Sequence, residues 1–410
     1  MKKIIISILI ILFLIISIFV GYYFAEKHIL KSTTENIVGK IEKVFTKEIK
    51  EKTEEKEESP IVVELEEKED IKVSMSVIGD IMCHNSQYND AYKDGLYDFS
   101  YVFEDIKEYI EPADIAIGNL ETTFAGSERG YASYPTFNTP EILAEDLKEL
   151  GIDVVSTANN HSLDTGYKGI ESTIDFLDKA GISHTGTYKS IEDQNNILIK
   201  DVNGLKIAFL AYTYGTNGIP VPVGKEYCIN LIDKELIKSH LDMAKELKPD
   251  VICVNMHWGI EYQNSPNEEQ EDLATFLFEN GADLILGSHP HVLQKMETRE
   301  VFLPDGTSKN GFVIFSLGNF MSGQTKANTR NSIILMLDII KSGKTNRISF
   351  ENVNYIPIYT YTYPNFKNYK VLDMRKAIQN YEEGTNSLIT RSTYDLLNKE
   401  LEHVNYTVGY

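Results

Sequence analysis

Cysteine is scarce. Cys83, Cys228 and Cys253 are the only three in 410 residues, too few and too scattered for a disulfide framework or a cysteine zinc finger. Positive charge is short as well: 40 Lys and Arg stand against 61 Asp and Glu, for a formal net charge of −21. That deficit excludes generic duplex binding, which depends on cations neutralising phosphates, and electrostatic coating of anionic lipid. No internal repeat of fixed period is present. Apolar residues, in contrast, are plentiful. At 42% hydrophobic and 10% aromatic, the chain can fill the core of one large domain or two ordinary ones.

A long apolar run opens the chain. From Ile4 to Val20 only Ser7 and Ser17 interrupt it, and Gly21 to Ala25 extend it to the length that crosses a bilayer as a helix. Lys2 and Lys3 favour a cytoplasmic start. A cleaved signal peptide is the competing reading, but its apolar region is shorter and ends at small residues, whereas Tyr22, Tyr23 and Phe24 follow this one. The expectation is an uncleaved single-pass anchor in the cell membrane over 1–25, with the body extracytoplasmic. Residues 26–70, dense in Lys and Glu without a recurrent apolar face, read as a charged, solvated stalk.

Beyond it, short β-branched runs end in polar or glycine-containing turns at 73–80, 114–121, 153–161, 206–213, 250–259, 282–291 and 312–320. Between them, stretches at 101–111, 140–150, 168–181, 234–247 and 268–280 place apolar residues at helical intervals. This alternation predicts an α/β body over 71–364. A helical tail is expected over 365–410. The Tyr-rich segment 355–363 alternates with period two and reads as an edge strand.

Residues able to hold a metal fall at the ends of the expected strands: Asp80, Asn119, Glu121, Asn159, Asn160, His161, His257, His289 and His291. Ligands of open α/β sheets bind outside the carboxyl ends of strands, so these positions are expected to converge. His-Pro-His at 289–291 is the strongest fragment, because imidazole and carboxylate oxygen together suit zinc, manganese or iron. His28, His184, His240 and His403 lack such surroundings, and His84 reads as a turn residue.

The ordered motifs GDIM (79–82), GNLE (118–121), ANNH (158–161), MHWGIEY (256–262), GSHPHV (287–292) and SLGNF (316–320) resemble the bacterial capsule-synthesis protein family CapA over roughly 73–340. Its members include the membrane-anchored PgsA-type component of poly-γ-glutamate synthesis, and the family is related to calcineurin-like metallophosphoesterases. The resemblance implies a two-sheet αββα sandwich and a centre for one or two divalent metals. Carried over residue by residue, it gives Asp80, Asn160, His257, His289 and His291 as ligands and His161 as general acid or charge stabiliser. Two positions depart from the pattern. Met82 stands where a ligating His is expected, and Asn119 where a bridging Asp is expected, leaving Glu121 as the replacement carboxylate.

The loops 211–218 and 134–140 and the segment after His257 offer Tyr214, Asn217 and Glu261 as substrate contacts. Lys295, Arg299 and Arg330 offer local positive charge. The function implied is an extracytoplasmic component of capsule or poly-γ-glutamate assembly, working beside membrane-embedded synthase or export subunits on an anionic polymer, with no role for nucleic acid. An active hydrolase of phosphoester or amide bonds and a non-catalytic scaffold with a remodelled metal site are the alternatives.

Overall fold

A computed structural model describes residues 68–302, 306–363, 367–385 and 389–409. The expected anchor and nearly all of the expected stalk lie outside the described residues. Among those described, no helix is long and apolar enough to cross a membrane.

Two sheets are stacked face to face. In the larger, the strands Ile71–Ile81, Ile115–Leu120, Val154–Ser156 and Ser183–Thr185 run parallel. Antiparallel strands Asn331–Lys341, Ile348–Tyr363 and Lys367–Asp373 widen it on the other side. In the smaller, Leu205–Thr213, Val251–His257, Leu284–Ser288 and Ser308–Ile314 are parallel, with antiparallel strands Leu198–Val202 and Met296–Phe302 at its two edges. Parallel neighbours need a crossover, and the helices Ile142–Leu150, Gly166–Ala180, Lys234–Glu246 and Glu268–Glu279 supply it.

Side chains of a strand alternate faces, and the packing follows that period of two. Val73, Met75, Val77, Ile115, Ile117 and Val154 of the larger sheet meet Leu205, Ile207, Phe209, Val251, Cys253 and Leu284 of the smaller in a shared core. The opposite face of the larger sheet, through Ile78, Ala116, Leu120 and Val155, receives Leu143, Leu147 and Leu177 from helices. The outer face of the smaller sheet packs in the same way on Ile237, Leu241, Leu273 and Leu277. Helix, sheet, sheet, helix is therefore the layer order, and the α/β sandwich expected from the sequence is present.

Two local expectations are revised. The helix expected over 101–111 is a short 3-10 turn Ser100–Val102 followed by a single helical turn Lys107–Ile110. Residues 355–363 are not at an edge: Ile348–Tyr363 is flanked on both sides, because Lys367–Asp373 pairs with it. Tyr355, Tyr359 and Tyr361 accordingly point into the shared core, where the helices Met374–Glu382 and Arg391–Val408 bring Met374, Leu397, Val404 and Val408 against it. All three cysteines are buried and free.

Candidate metal centre

The parallel strands of both sheets end at one place. Asp80 is the tenth residue of Ile71–Ile81 and lies in register with Asn119 on one neighbour and Asn319 on the other. His257 ends its strand in register with Ser288 and Thr213. Glu121, Asn160, His161, His289 and His291 follow their strands in short turns, and all are buried. His289 and His291 hold left-handed backbone at φ 95° and 58°. For a non-glycine residue this costs about 1–3 kcal/mol, a strain that clusters where side chains must be aimed for function.

The buried polar groups orient one another. Asn119 donates its amide to Asp80 Oδ1 at 2.8 Å and to Glu121 Oε2 at 3.3 Å. His291 Nδ1 lies 3.1 Å from both Asp80 Oδ2 and Asn319 Oδ1. A proton on that nitrogen leaves the Nε2 lone pair facing Glu121 Oε1, 3.7 Å away. His257 Nε2 stands at the same 3.7 Å from Glu121 Oε1 and 2.8 Å from Asn160 Oδ1, while its Nδ1 meets Ser288 Oγ at 2.9 Å. Glu121 Oε1 itself has no hydrogen-bond partner, and neither does His289 Nδ1.

An orphaned carboxylate oxygen is expensive to bury. Here it is surrounded by donors that suit a cation: one ligand atom each from Asp80, Glu121 and His257 lies within 4.8 Å of the others. The residues fit a divalent metal. Such an ion would supply the missing partner of Glu121, and imidazoles held through their other nitrogen are the usual way a protein aims histidine at a metal.

Electrostatics agrees. Burial, then the charges of Asp80 and Glu261, push the Glu121 carboxyl well above its ordinary range. Burial, then the neighbouring imidazoles, hold His257 well below its usual value and His289 down at about 3. Elsewhere, burial alone lowers His240, hydrogen-bonded to Tyr212, to about 4. A group whose folded pKa is depressed contributes stability above its unfolded pKa and loses it as pH falls toward the folded one. The metal-free protein is therefore expected to lose urea resistance steadily from pH 6.5 to 4. His240→Asn is expected to flatten that slope without touching the centre, and an unchanged slope in that variant would count against the assignment.

His161 lies beside the ligands rather than among them. Its Nδ1 is 2.7 Å from Asp164 Oδ2, with both side chains buried, and Asp164 Oδ2 also accepts from Phe137 N. Asn160 donates to Asn217 Oδ1 at 3.0 Å, and Asn217 Nδ2 reaches His161 Nδ1 at 3.5 Å. Tyr214, 47% exposed, covers His289 with ring centroids 4.4 Å apart. Glu261 is exposed, and its charge acts on Glu121, Tyr214 and Tyr262. Tyr214, Asn217 and Glu261 thus rim the centre.

The sequence reading did not single out Asp164, Ser288 and Asn319. An acid three residues after His161 in a turn was a usable signal for Asp164. Ser288 and Asn319 lie inside the motifs GSHPHV and SLGNF, but they act through other side chains, so residue type alone assigned them no role. Met82 is buried, with its sulfur near Ser322 Oγ and Gln324 Nε2 at 3.9 and 4.0 Å. The local positive charge expected from Lys295 and Arg299 is not available. Lys295 is 3.0 Å from Glu271 and 3.1 Å from Glu297, and Arg299 pairs with the same two carboxylates.

Comparison with known proteins adds a lineage. Residues 74–324 match the family described as bacterial capsule synthesis protein PGA_cap. The capsule biosynthesis protein CapA of Bacillus anthracis is 29% identical over 289 residues, 69% of this chain and 67% of that one. The PGA biosynthesis protein CapA of Bacillus subtilis (strain 168) is 30% identical over 289 residues, 66% of this chain and 69% of the relative. Among solved structures, a calcineurin-like phosphoesterase of Bacillus subtilis aligns at TM-score 0.41 and 15% identity, covering 77% of this chain and 98% of that one. An NAD nucleotidase of Haemophilus influenzae aligns at TM-score 0.42 and 14% identity, covering 82% and 61%. With more than half its length matched, this chain belongs to the bacterial capsule synthesis protein family PGA_cap.

Proposed function

We propose that this protein is a membrane-anchored, extracytoplasmic component of capsule assembly. In this reading it uses a divalent metal to hydrolyse a bond of an anionic polymer of the poly-γ-glutamate class, beside membrane-embedded synthase or export subunits. The observation that carries the chemistry is the unpartnered Glu121 Oε1, faced at 3.7 Å by Nε2 of both His257 and His291 and neighboured by a buried His161–Asp164 pair. The anchor rests on the apolar run 4–25, and the polymer on the relatives' names.

When bound, the ion supplies Lewis acidity toward an acyl or phosphoryl oxygen. The protein's own residues do the rest. Asp80, Glu121, His257 and His291 would hold the ion, and Asn119 keeps the two carboxylates oriented. Asp164 fixes His161 through Nδ1, so that Nε2 is the nitrogen left to carry a proton to a departing group. Tyr214 lies over the His289 ring at the mouth of the centre.

The test is polymer shortening by the full-length protein in detergent, followed by chromatography of γ-linked glutamate chains with and without added manganese or zinc. His161→Ala is expected to lower the rate by about 10²–10⁴-fold while leaving metal content intact. Shortening that persists undiminished in His161→Ala would sink the hydrolytic reading. Metal uptake with no shortening at all would leave the scaffold.

A further inference from the structure

His84 has the surroundings of a positioned donor, not of a turn residue. It sits four residues after Asp80, where its backbone N–H donates to Gln87 Oε1 at 2.9 Å and begins the helix Asn85–Ala91. Its Nδ1 accepts from Gly323 N–H at 3.0 Å. A nitrogen that accepts carries no proton, so the neutral ring is the tautomer with its proton on Nε2. Among the described residues that Nε2 has no hydrogen-bond partner, yet it is not one of the sealed, unsatisfied atoms of the interior. It is open to something that arrives.

The ring's placement is built from both sides. Phe137 stands between two imidazoles, edge-on to His84 at 5.1 Å and to His161 at 4.8 Å. Behind it Gly323 leaves no room to spare, since a Cβ there would meet His84 Cβ at 2.7 Å and the ring at 2.9 Å. Burial, then the charges of His291 and His161, hold its pKa down at about 4, against an opposing contact with the Gln87 side chain. At neutral pH it is an uncharged N–H donor beside the candidate metal ligands.

We propose that His84 is a substrate-binding residue whose Nε2–H donates to an anionic oxygen of the group held at the metal centre. The geometry that carries this is the pairing of a spent Nδ1 with an unpartnered Nε2 on a ring wedged between Gly323 and Phe137. The proposal rests on the metal-centre reading above. It gives this chain a donor on the side of the centre opposed across Phe137 to His161, so that a tetrahedral oxyanion meets N–H groups from two imidazoles.

The test uses the metal-loaded full-length protein and inorganic phosphate as the oxyanion probe, read by calorimetry. His84→Asn separates the two roles of the ring. Its amide oxygen can still accept from Gly323 N–H, but its side chain is too short to replace Nε2–H. That variant is expected to keep the wild-type metal content and melting temperature while phosphate binding weakens about tenfold, the loss of one hydrogen bond to a charged group. His84→Gln, with a longer donor, is expected to recover part of that loss. Unchanged phosphate affinity in His84→Asn would make the ring a loop anchor only and overturn the proposal. Loss of metal from His84→Asn would overturn it too, making His84 a ligand. Wild-type protein that takes up no metal overturns the metal-centre reading and this proposal together, which distinguishes the two failures.

Discussion

Glu121→Gln is expected to abolish stoichiometric metal binding and at the same time to make the metal-free protein more stable. The glutamine has the same shape, and its oxygen can still accept from Asn119. With that oxygen turned to Asn119, an uncharged NH2 group replaces the oxygen that both His257 and His291 face. An amide NH2 offers a cation neither charge nor a free lone pair, so affinity is expected to fall by about a hundredfold or more. The sign of the stability change follows from linkage. The Glu121 pKa is raised in the folded state, so its contribution is favourable at acid pH and turns unfavourable as pH rises past its unfolded value. Removing the ionisable group removes that penalty at neutral pH. Elemental analysis gives the first readout, and urea unfolding after chelation gives the second. A variant that retains a full equivalent of metal would disprove the role assigned to Glu121.

Much of this molecule was legible because two periods were legible. The helices at 142–150, 166–180, 234–246 and 268–279 lie within a residue or two of the stretches where apolar positions recur at three and four, since one buried stripe per helix leaves that imprint. The parallel strands were visible as β-branched runs because both of their faces are covered. The edge strands were harder. Met296–Phe302 is only partly buried and carries Glu297, Arg299 and Glu300, a pattern that composition does not separate from loop. The strand Lys367–Asp373 was hidden for a different reason: its only signal is the partner it finds in Ile348–Tyr363, and pairing is not local.

The site divides along the same line. Ligand candidates were found because each ends a strand, and one sheet edge collects strand ends. What could not be read was which atom of each side chain is already engaged. That Asn119 donates to two carboxylates, and so orients Glu121 while its own oxygen stays unpartnered, depends on contacts 39 residues apart. From its neighbours in sequence alone His84 reads as a turn residue. Only the arrival of Gly323, 239 residues later, shows which ring nitrogen is left over.

The glycines of the motifs carry the last prediction. Gly79, Gly118 and Gly287 each stand directly before the residue that turns toward the centre or toward its neighbours, and none has left-handed backbone. Their requirement is space. A Cβ on Gly79 would lie 1.9 Å from the carbonyl oxygen of Gly318, the group that accepts the Asp80 N–H at 2.9 Å. A Cβ on Gly287 would lie 2.0 Å from the Phe315 carbonyl oxygen. Backbone cannot swing aside as a side chain can, so the strand carrying Asp80 would have to move away from Asn319. Gly79→Ala is expected to cost about 3 kcal/mol, the upper end for forcing a methyl into a packed interior. It is also expected to reduce metal content, because Asp80 moves with the strand. Gly118→Ala is expected to cost less, since it meets the Ile78 side chain at 2.7 Å and not backbone. Gly215→Ala, with open space around it, is the control and is expected to change neither quantity. Urea unfolding of the four proteins checks the order. If Gly79→Ala unfolds at the wild-type midpoint, the close approach of the two strands is not what holds Asp80 in place. The metal centre would then owe its geometry to the turns alone.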